Sequence, residues 1–271
     1  METRGQAGVV VEPRGVWIYA IAERVAATSL GQLTGVGEGP IRTVAAAGLT
    51  AVAEDVELAE FGEEALRDNL EDLEWLEAAA RAHHRVIDAV AQQGPLVPMR
   101  IATVYGSDAS VAAMLADREA DFRRALRRIS GRQEWGVKAY AARPVAAGDP
   151  AATPGPASPG TGSGAAYLRR RRDQLATQKN ARRETLANAE IIHAELSRYA
   201  AETRLHPPQA PQLTGSKELM ILNAAYLLDD GRADDFAALV AVLAEQYPSV
   251  RLELTGPWPP YSFAGDPERE D

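Results

Sequence analysis

A few groups of residues in this chain have types and spacings that could do chemistry. His83 and His84 are adjacent, and His193 and His206 lie far downstream. Helical neighbours point about 100° apart, so the first pair cannot face one ion. The chain has no cysteine and no H-E-x-x-H spacing, which leaves no recognisable ligand set for a metal. Gly35–Gly39, GVGEG, has the glycines of a loop that cradles phosphate through backbone N–H groups, but G-x-x-x-x-G-K-[ST] is absent, so it reads as a turn before a short helix. Eleven acids between Glu54 and Glu77 supply carboxylates for acid–base work, yet no spacing selects one pair. They read as the wet face of an amphipathic helix and its approach. No G-x-S-x-G elbow occurs. Arg169–Arg172 could meet phosphates, but four consecutive residues ring a helix instead of lining one side, and no aromatics interleave for base stacking. The run reads as a solubilising helix start or a contact for an acidic partner. No catalytic residue, metal ligand or cofactor is assigned, and the chain is expected not to be an enzyme.

The most distinctive cluster is Trp258, Tyr261 and Phe263 among Pro257, Pro259 and Pro260. Proline fixes an extended path and limits the entropy lost on ordering. The segment either packs back on the chain's own sheet or presents an aromatic strip to a partner, since Trp and Tyr carry much interface energy. Arg100, Glu134 and Lys138 form a second candidate, a polar patch near strand ends that serves an internal ion network or an interface. The candidate interface is therefore Arg100, Glu134, Lys138, Trp258, Tyr261 and Phe263, with Arg169 and Arg170.

The elements that must position these residues follow from periodicity. Val16–Ile21, VWIYAI, reads as a buried strand. Ile41–Ala47 reads as a short helix and Leu49–Ala53 as a second strand. Gly62 precedes a long helix with Leu66, Leu70, Leu73, Leu76, Ala80, Val86, Ile87 and Val90 at spacings of three and four, stopped by Gly94 and Pro95. Leu96–Tyr105 is a strand whose Pro98 implies a bulge or an edge. Ser107 or Asp108 caps the next helix, which ends near Gly131. Glu134–Ala141 is a fourth strand. This order approaches a ferredoxin-like layer with one extra helix.

Pro144–Gly164 holds five Pro and five Gly and almost no large apolar residue, so it reads as a flexible linker or exposed loop. It separates an expected N-terminal domain (1–143) from a smaller C-terminal α/β domain (165–271). The latter opens with a long helix, roughly Ala165 to Thr203, with an interrupted apolar stripe. It continues with a strand in Lys217–Leu228, a helix carrying Phe236, Leu239, Val240 and Leu243, and Val250–Thr255. In that last strand Val250, Leu252 and Leu254 alternate with Arg251 and Glu253.

With 271 residues, the chain is comfortable for two domains, and 46% hydrophobic with 25% charged is ordinary for a globular protein. Its start carries no signal-peptide core and no stretch is apolar enough to span a bilayer, so a cytoplasmic protein is expected, with no membrane partner. A net charge of −9 speaks against a nucleic-acid partner. The charge is uneven: eight bases and three acids from Arg118 to Arg143, and seven bases and one acid from Tyr167 to Arg183. Electrostatic docking to a partner is consistent with that contrast.

The chain resembles the gas vesicle protein family GvpF/GvpL over nearly its whole length. The residues that carry the resemblance are Val16–Ile21, LVPMRIATVY ending at Tyr105, GRQEWGVKAY from Gly131, Ala166–Leu168 with its Arg run, LNAAYLL from Leu222, and LELTGPWPPYSF ending at Phe263. One departure stands out. The family motif runs Pro, apolar, Arg, Phe, Gly, Thr; here Pro98, Met99, Arg100 and Thr103 fit, while Ile101 and Ala102 replace Phe–Gly. The resemblance implies an N-terminal ferredoxin-like domain, a C-terminal α/β domain and a role in forming gas vesicles, the protein shells that give cells buoyancy. It implies an accessory protein that binds the hydrophobic major shell protein, or other vesicle proteins, by sheet-edge pairing or a groove between domains. A minor component on the inner surface of the shell is the alternative.

Overall fold

The structure, a computed structural model, describes residues 13–26, 30–142, 163–208 and 218–265; the side chains of 163–166 and of Arg170 are outside that description. The expected linker therefore lies outside the described residues except for Ser163 and Gly164, which open a helix. The chain divides into two units, residues 1–132 with 259–271, and residues 133–258.

The first unit is built on β1 (Arg14–Ala22), β2 (Arg42–Ala46), β3 (Leu49–Glu57), β4 (Leu96–Pro98) and β5 (Val104–Tyr105). Its order is β2-β3-β1-β4, with β5 also on β1, and each of these pairs is antiparallel. β1 is buried along nearly its whole length, as its β-branched and aromatic run requires of a central strand. Its register slips between Ile18 and Ala20. The core cluster takes Trp17 and Tyr19 before the slip, and Ala20 and Ala22 after it, because one extra residue flips the alternation. Pro98 sits on β4, paired only with β1, where its missing N–H costs no ladder bond.

Two local readings of this unit are corrected. Residues 42–46 are a strand instead of a helix, joined to β3 by a two-residue turn at Ala47 (φ 51°) and Gly48 (φ 69°). Two positive φ values match the right-handed twist of a hairpin. A short α1 (Leu58–Phe61) comes first, and the single long helix expected after Gly62 is two, α2 (Glu63–Asn69) and α3 (Leu73–Ala91). Asp72 restarts it, accepting from the N–H groups of Glu74 (2.9 Å) and Trp75 (3.3 Å). The restart breaks the phase of the stripe, and Leu70 and Leu73 are 37% and 77% exposed. Ser107 caps α4 (Asp108–Asp117) as expected, and α5 (Glu119–Ile129) follows.

The second unit contains β6 (Arg132–Ala141), α6 (Ser163–Tyr199), β7 (Glu202–Leu205), β8 (Met220–Asp229), α7 (Ala233–Gln246) and β9 (Val250–Trp258). Its sheet order is β7-β8-β6-β9. β6 is thus not the last strand of the first layer but an inner strand of the second sheet. Strand, helix, two strands, helix, strand is the ferredoxin-like pattern in full. The first sheet has the same relative order, with no helix described between β1 and β2. The long helix also ends earlier than expected, because Glu202–Leu205 pairs with β8. Val137, Ala139, Ile192, Leu196, Tyr226, Phe236, Val240, Leu243 and Val250 form the second core. β8 starts later than the expected Lys217, and Leu219, just before it, is 47% exposed. A final turn, α8 (Tyr261–Ala264), belongs to the first unit and packs on α5 and β4.

Candidate interaction surface

The glycine loop is occupied by the protein itself. Glu54 on β3 is fully buried, and its carboxylate accepts from the N–H groups of Gly37 (3.1 Å) and Gly39 (2.7 Å) and from the Tyr19 hydroxyl. The same hydroxyl accepts from Val36 N–H at 2.9 Å. Burial, and then the bond to Glu54, push the Tyr19 pKa up. A Cβ on Gly35 would stand 2.0 Å from Glu54 Oε2 and 2.1 Å from the Tyr19 hydroxyl oxygen. The loop is therefore a nest for an internal carboxylate, with no room left for a phosphate.

The histidines are packed similarly. His83 Nδ1 accepts from Trp17 Nε1 at 2.9 Å, and its Nε2 lies 3.0 Å from the Met99 carbonyl, which assigns the proton to Nε2. Burial lowers the His83 pKa to about 4, so the ring is neutral at pH 7. In the second unit, burial lowers the His193 pKa and raises that of Tyr226, whose hydroxyl meets His193 Nδ1 at 2.8 Å. Among the described residues no group of three or more His, Asp or Glu side chains is placed to hold a metal ion. A shallow cleft of about 440 Å³ includes Arg42, Asp55 and Asp108, but Arg42 donates to both carboxylates, which raise its pKa, so the charges satisfy one another. In each of these places the polar groups bond to other groups of the chain.

The sequence-derived candidates separate on the structure. Arg100 is exposed in the first unit, at the turn between β4 and β5, whereas Glu134 and Lys138 lie on β6 in the second. The three share no sheet and form no single polar patch within one unit. Glu134 is 8% exposed and directly opposite Trp258 in the β6–β9 pair, while Lys138 is half-buried opposite Glu253. Arg169 is exposed on α6; the side chain of Arg170 lies outside the described residues.

The proline-aromatic segment splits as well. Phe263 is fully buried, and Arg128 Nη1 donates to its carbonyl at 3.2 Å. It belongs to the core because α8 packs it down, so its side chain is not part of any surface. Trp258, at the end of edge strand β9, is 44% exposed, and Tyr261 is 37% exposed with its ring stacked on His84 at 6.3 Å. Gly256 takes φ +127°, and a Cβ there would stand 3.0 Å from the Glu134 carbonyl and 3.2 Å from the Trp135 ring. Much of GPWPPYSF is thus architecture, and it leaves two aromatics accessible. Sequence reasoning missed the Tyr19–Glu54–glycine cluster. The only local signal was alternate glycines at 35, 37 and 39, and nothing tied them to Glu54.

A family model described as gas vesicle synthesis protein GvpL/GvpF matches residues 15–265. Gas vesicle protein L of Streptomyces sp. (strain CB03234) is 43% identical over 236 residues, 87% of each chain. Gas vesicle protein L1 of Halobacterium salinarum is 28% identical over 267 residues, 93% of this chain and 91% of its own. The crystal structure of the gas vesicle protein GvpF from Anabaena sp. PCC7120 matches with a TM-score of 0.65 at 19% identity, over 93% of this chain and 97% of that one. That of GvpF from Microcystis aeruginosa matches with a TM-score of 0.63 at 18% identity. These two likenesses establish the fold.

Proposed function

This chain belongs to the GvpL/GvpF family of gas vesicle synthesis proteins, and on that premise we propose that it is a cytoplasmic accessory protein of gas-vesicle assembly that binds the hydrophobic major shell protein. Before it polymerises, such a shell protein exposes apolar surface and open strand edges that self-associate. The observation that carries this reading is Trp258, 44% exposed at the end of edge strand β9 in the second unit; Tyr261, 37% exposed in the first unit, is a separate candidate contact. Rigid aromatics on a fixed backbone gain contact area with little further loss of entropy. β9, the outermost strand of its sheet, leads into Trp258 and offers an edge for strand addition. Arg100 and Lys138 are further contact candidates. No chemical step is assigned; Tyr19, Glu54, His83, His193 and Arg42 each bond to other groups of the chain.

The test is co-expression with the major shell protein and recovery of soluble complex. The wild-type chain retains the shell protein in the soluble fraction. The double variant Trp258→Ala, Tyr261→Ala loses it while keeping a wild-type circular dichroism spectrum. Equal recovery with the double variant would remove this surface from the reading. Failure of the wild-type chain to associate, alone or with other vesicle proteins, would overturn shell binding.

A further inference from the structure

Helix α6 runs for 37 residues, but only its last part packs on the second sheet. Ala189, Ile192 and Leu196 are buried there, whereas every described side chain from Tyr167 to Glu184 is exposed. Exposure around the whole circumference means that no face of this arm is packed among the described residues. A helix without a packed face is marginal in water, since helical stability in proteins comes mostly from tertiary contact.

The arm nevertheless has a patterned side. At about 100° per residue, Leu168, Arg172, Leu175, Lys179, Arg182 and Leu186 fall within about 80° of arc. Three leucines and three bases therefore share one stripe about 27 Å long. Leu168, Leu175 and Leu186 are 63%, 51% and 40% exposed. From Ser163 to Ala187 the arm carries seven bases and two acids.

The first unit carries the complement. From Glu57 to Glu77 there are nine acids and one base, and all nine acids are exposed. Within that acidic surface lie Leu73 and Leu70, exposed because Asp72 restarts the helix. Leucines among bases on one surface match leucines among acids on the other, in both sign and kind.

We propose that the basic arm of α6 docks on the acidic α1–α3 face of a second copy of this chain, making the protein self-associating. Each copy carries one arm and one face, so the contact can repeat from copy to copy or close on itself. Leucine–leucine burial supplies the core of the contact, and the opposed charges set its orientation and accelerate encounter. The inference is independent of shell binding, which uses Trp258 and Tyr261.

The experiment is sedimentation velocity on the intact chain over a concentration series, at low and at high salt. At low salt the weight-average mass rises above the 29.1 kDa monomer with concentration, and high salt returns it toward monomer. An arm variant (Arg172→Glu, Lys179→Glu, Arg182→Glu) and a face variant (Glu71→Lys, Glu74→Lys, Glu77→Lys) each weaken association at least about tenfold. Mixed in equal amounts they associate again, because the acidic arm of one now meets the basic face of the other. Circular dichroism on each variant separates loss of association from loss of fold. A monomer at every concentration in low salt would overturn the proposal. So would association indifferent to both variants, or a mixture that stays monomeric. A salt-dependent compaction independent of concentration would also overturn it, since the arm would then be folding on its own chain.

Discussion

The indole N–H of Trp17 donates to Nδ1 of His83 at 2.9 Å, joining β1 to α3 across 66 positions of sequence. The bond requires a neutral ring with its proton on Nε2, facing the Met99 carbonyl. Tyr19 stacks on the same imidazole at 5.1 Å, and burial is the main cause that lowers its pKa. A base whose pKa falls from 6.5 to about 4 on folding binds fewer protons folded than unfolded between those values. Stability from this group is fully present above pH 6.5 and declines as pH falls toward 4, by about 2 kcal/mol between pH 7 and pH 5. Denaturant unfolding at both pH values measures the decline. His83→Gln, less stable at pH 7 for want of packing, should show a decline smaller by about that amount, and equal declines would mean that His83 does not titrate across this range.

Gly35→Ala should be among the most damaging single-methyl changes in the chain. The added carbon would overlap the Glu54 carboxylate and the Tyr19 hydroxyl, both held by other bonds. Neither group can move without leaving a buried polar atom short of a partner, so a loss of roughly 3 kcal/mol is expected. Gly31→Ala is the control, because nothing lies within 4 Å of its added carbon. Chemical denaturation of the pair reads the difference.

Ala102→Gly should stabilise. Ala102 holds φ +63° in the turn between β4 and β5, a conformation that costs an L-residue about 1 kcal/mol relative to glycine. It occupies the position where the family motif carries Gly. The substitution relieves the strain but loosens the unfolded chain, so the net gain is about 0.5 kcal/mol. Thermal unfolding of the variant beside wild type shows the sign.

What the sequence disclosed depended on how local the determinant was. β1 and β9 were legible because a β-branched run and a strict alternation are written in their own residues. β2 was not: RTVAA has little strand character, and its partner is named by the Ala47–Gly48 turn, a weak form of the usual hairpin signal. β7 is four residues after a long helix and exists because β8 pairs with it. The placement of β6 could not be read at all, since only pairing with β8 and β9 assigns it to the second sheet. The same limit governed the candidate surface: three aromatics among prolines give no period, so the burial of Phe263 and the exposure of Trp258 and Tyr261 had to come from packing.

That division bears on how the tail is tested. A chain cut before Gly256 loses Trp258, which lies opposite Glu134 on β6, and also the Phe263 side chain and the carbonyl held by Arg128. Loss of partner binding by such a truncation would not separate contact from collapse. Point substitutions do. Phe263→Ala empties a fully buried aromatic site and should cost about 3–5 kcal/mol, with a clear fall in Tm. Trp258→Ala and Tyr261→Ala remove partly exposed rings and should each cost about 1 kcal/mol or less. If the aromatic pair is the contact, shell-protein retention follows Trp258 and Tyr261 while stability follows Phe263. If retention instead tracks Tm across all three variants, the tail serves only the fold.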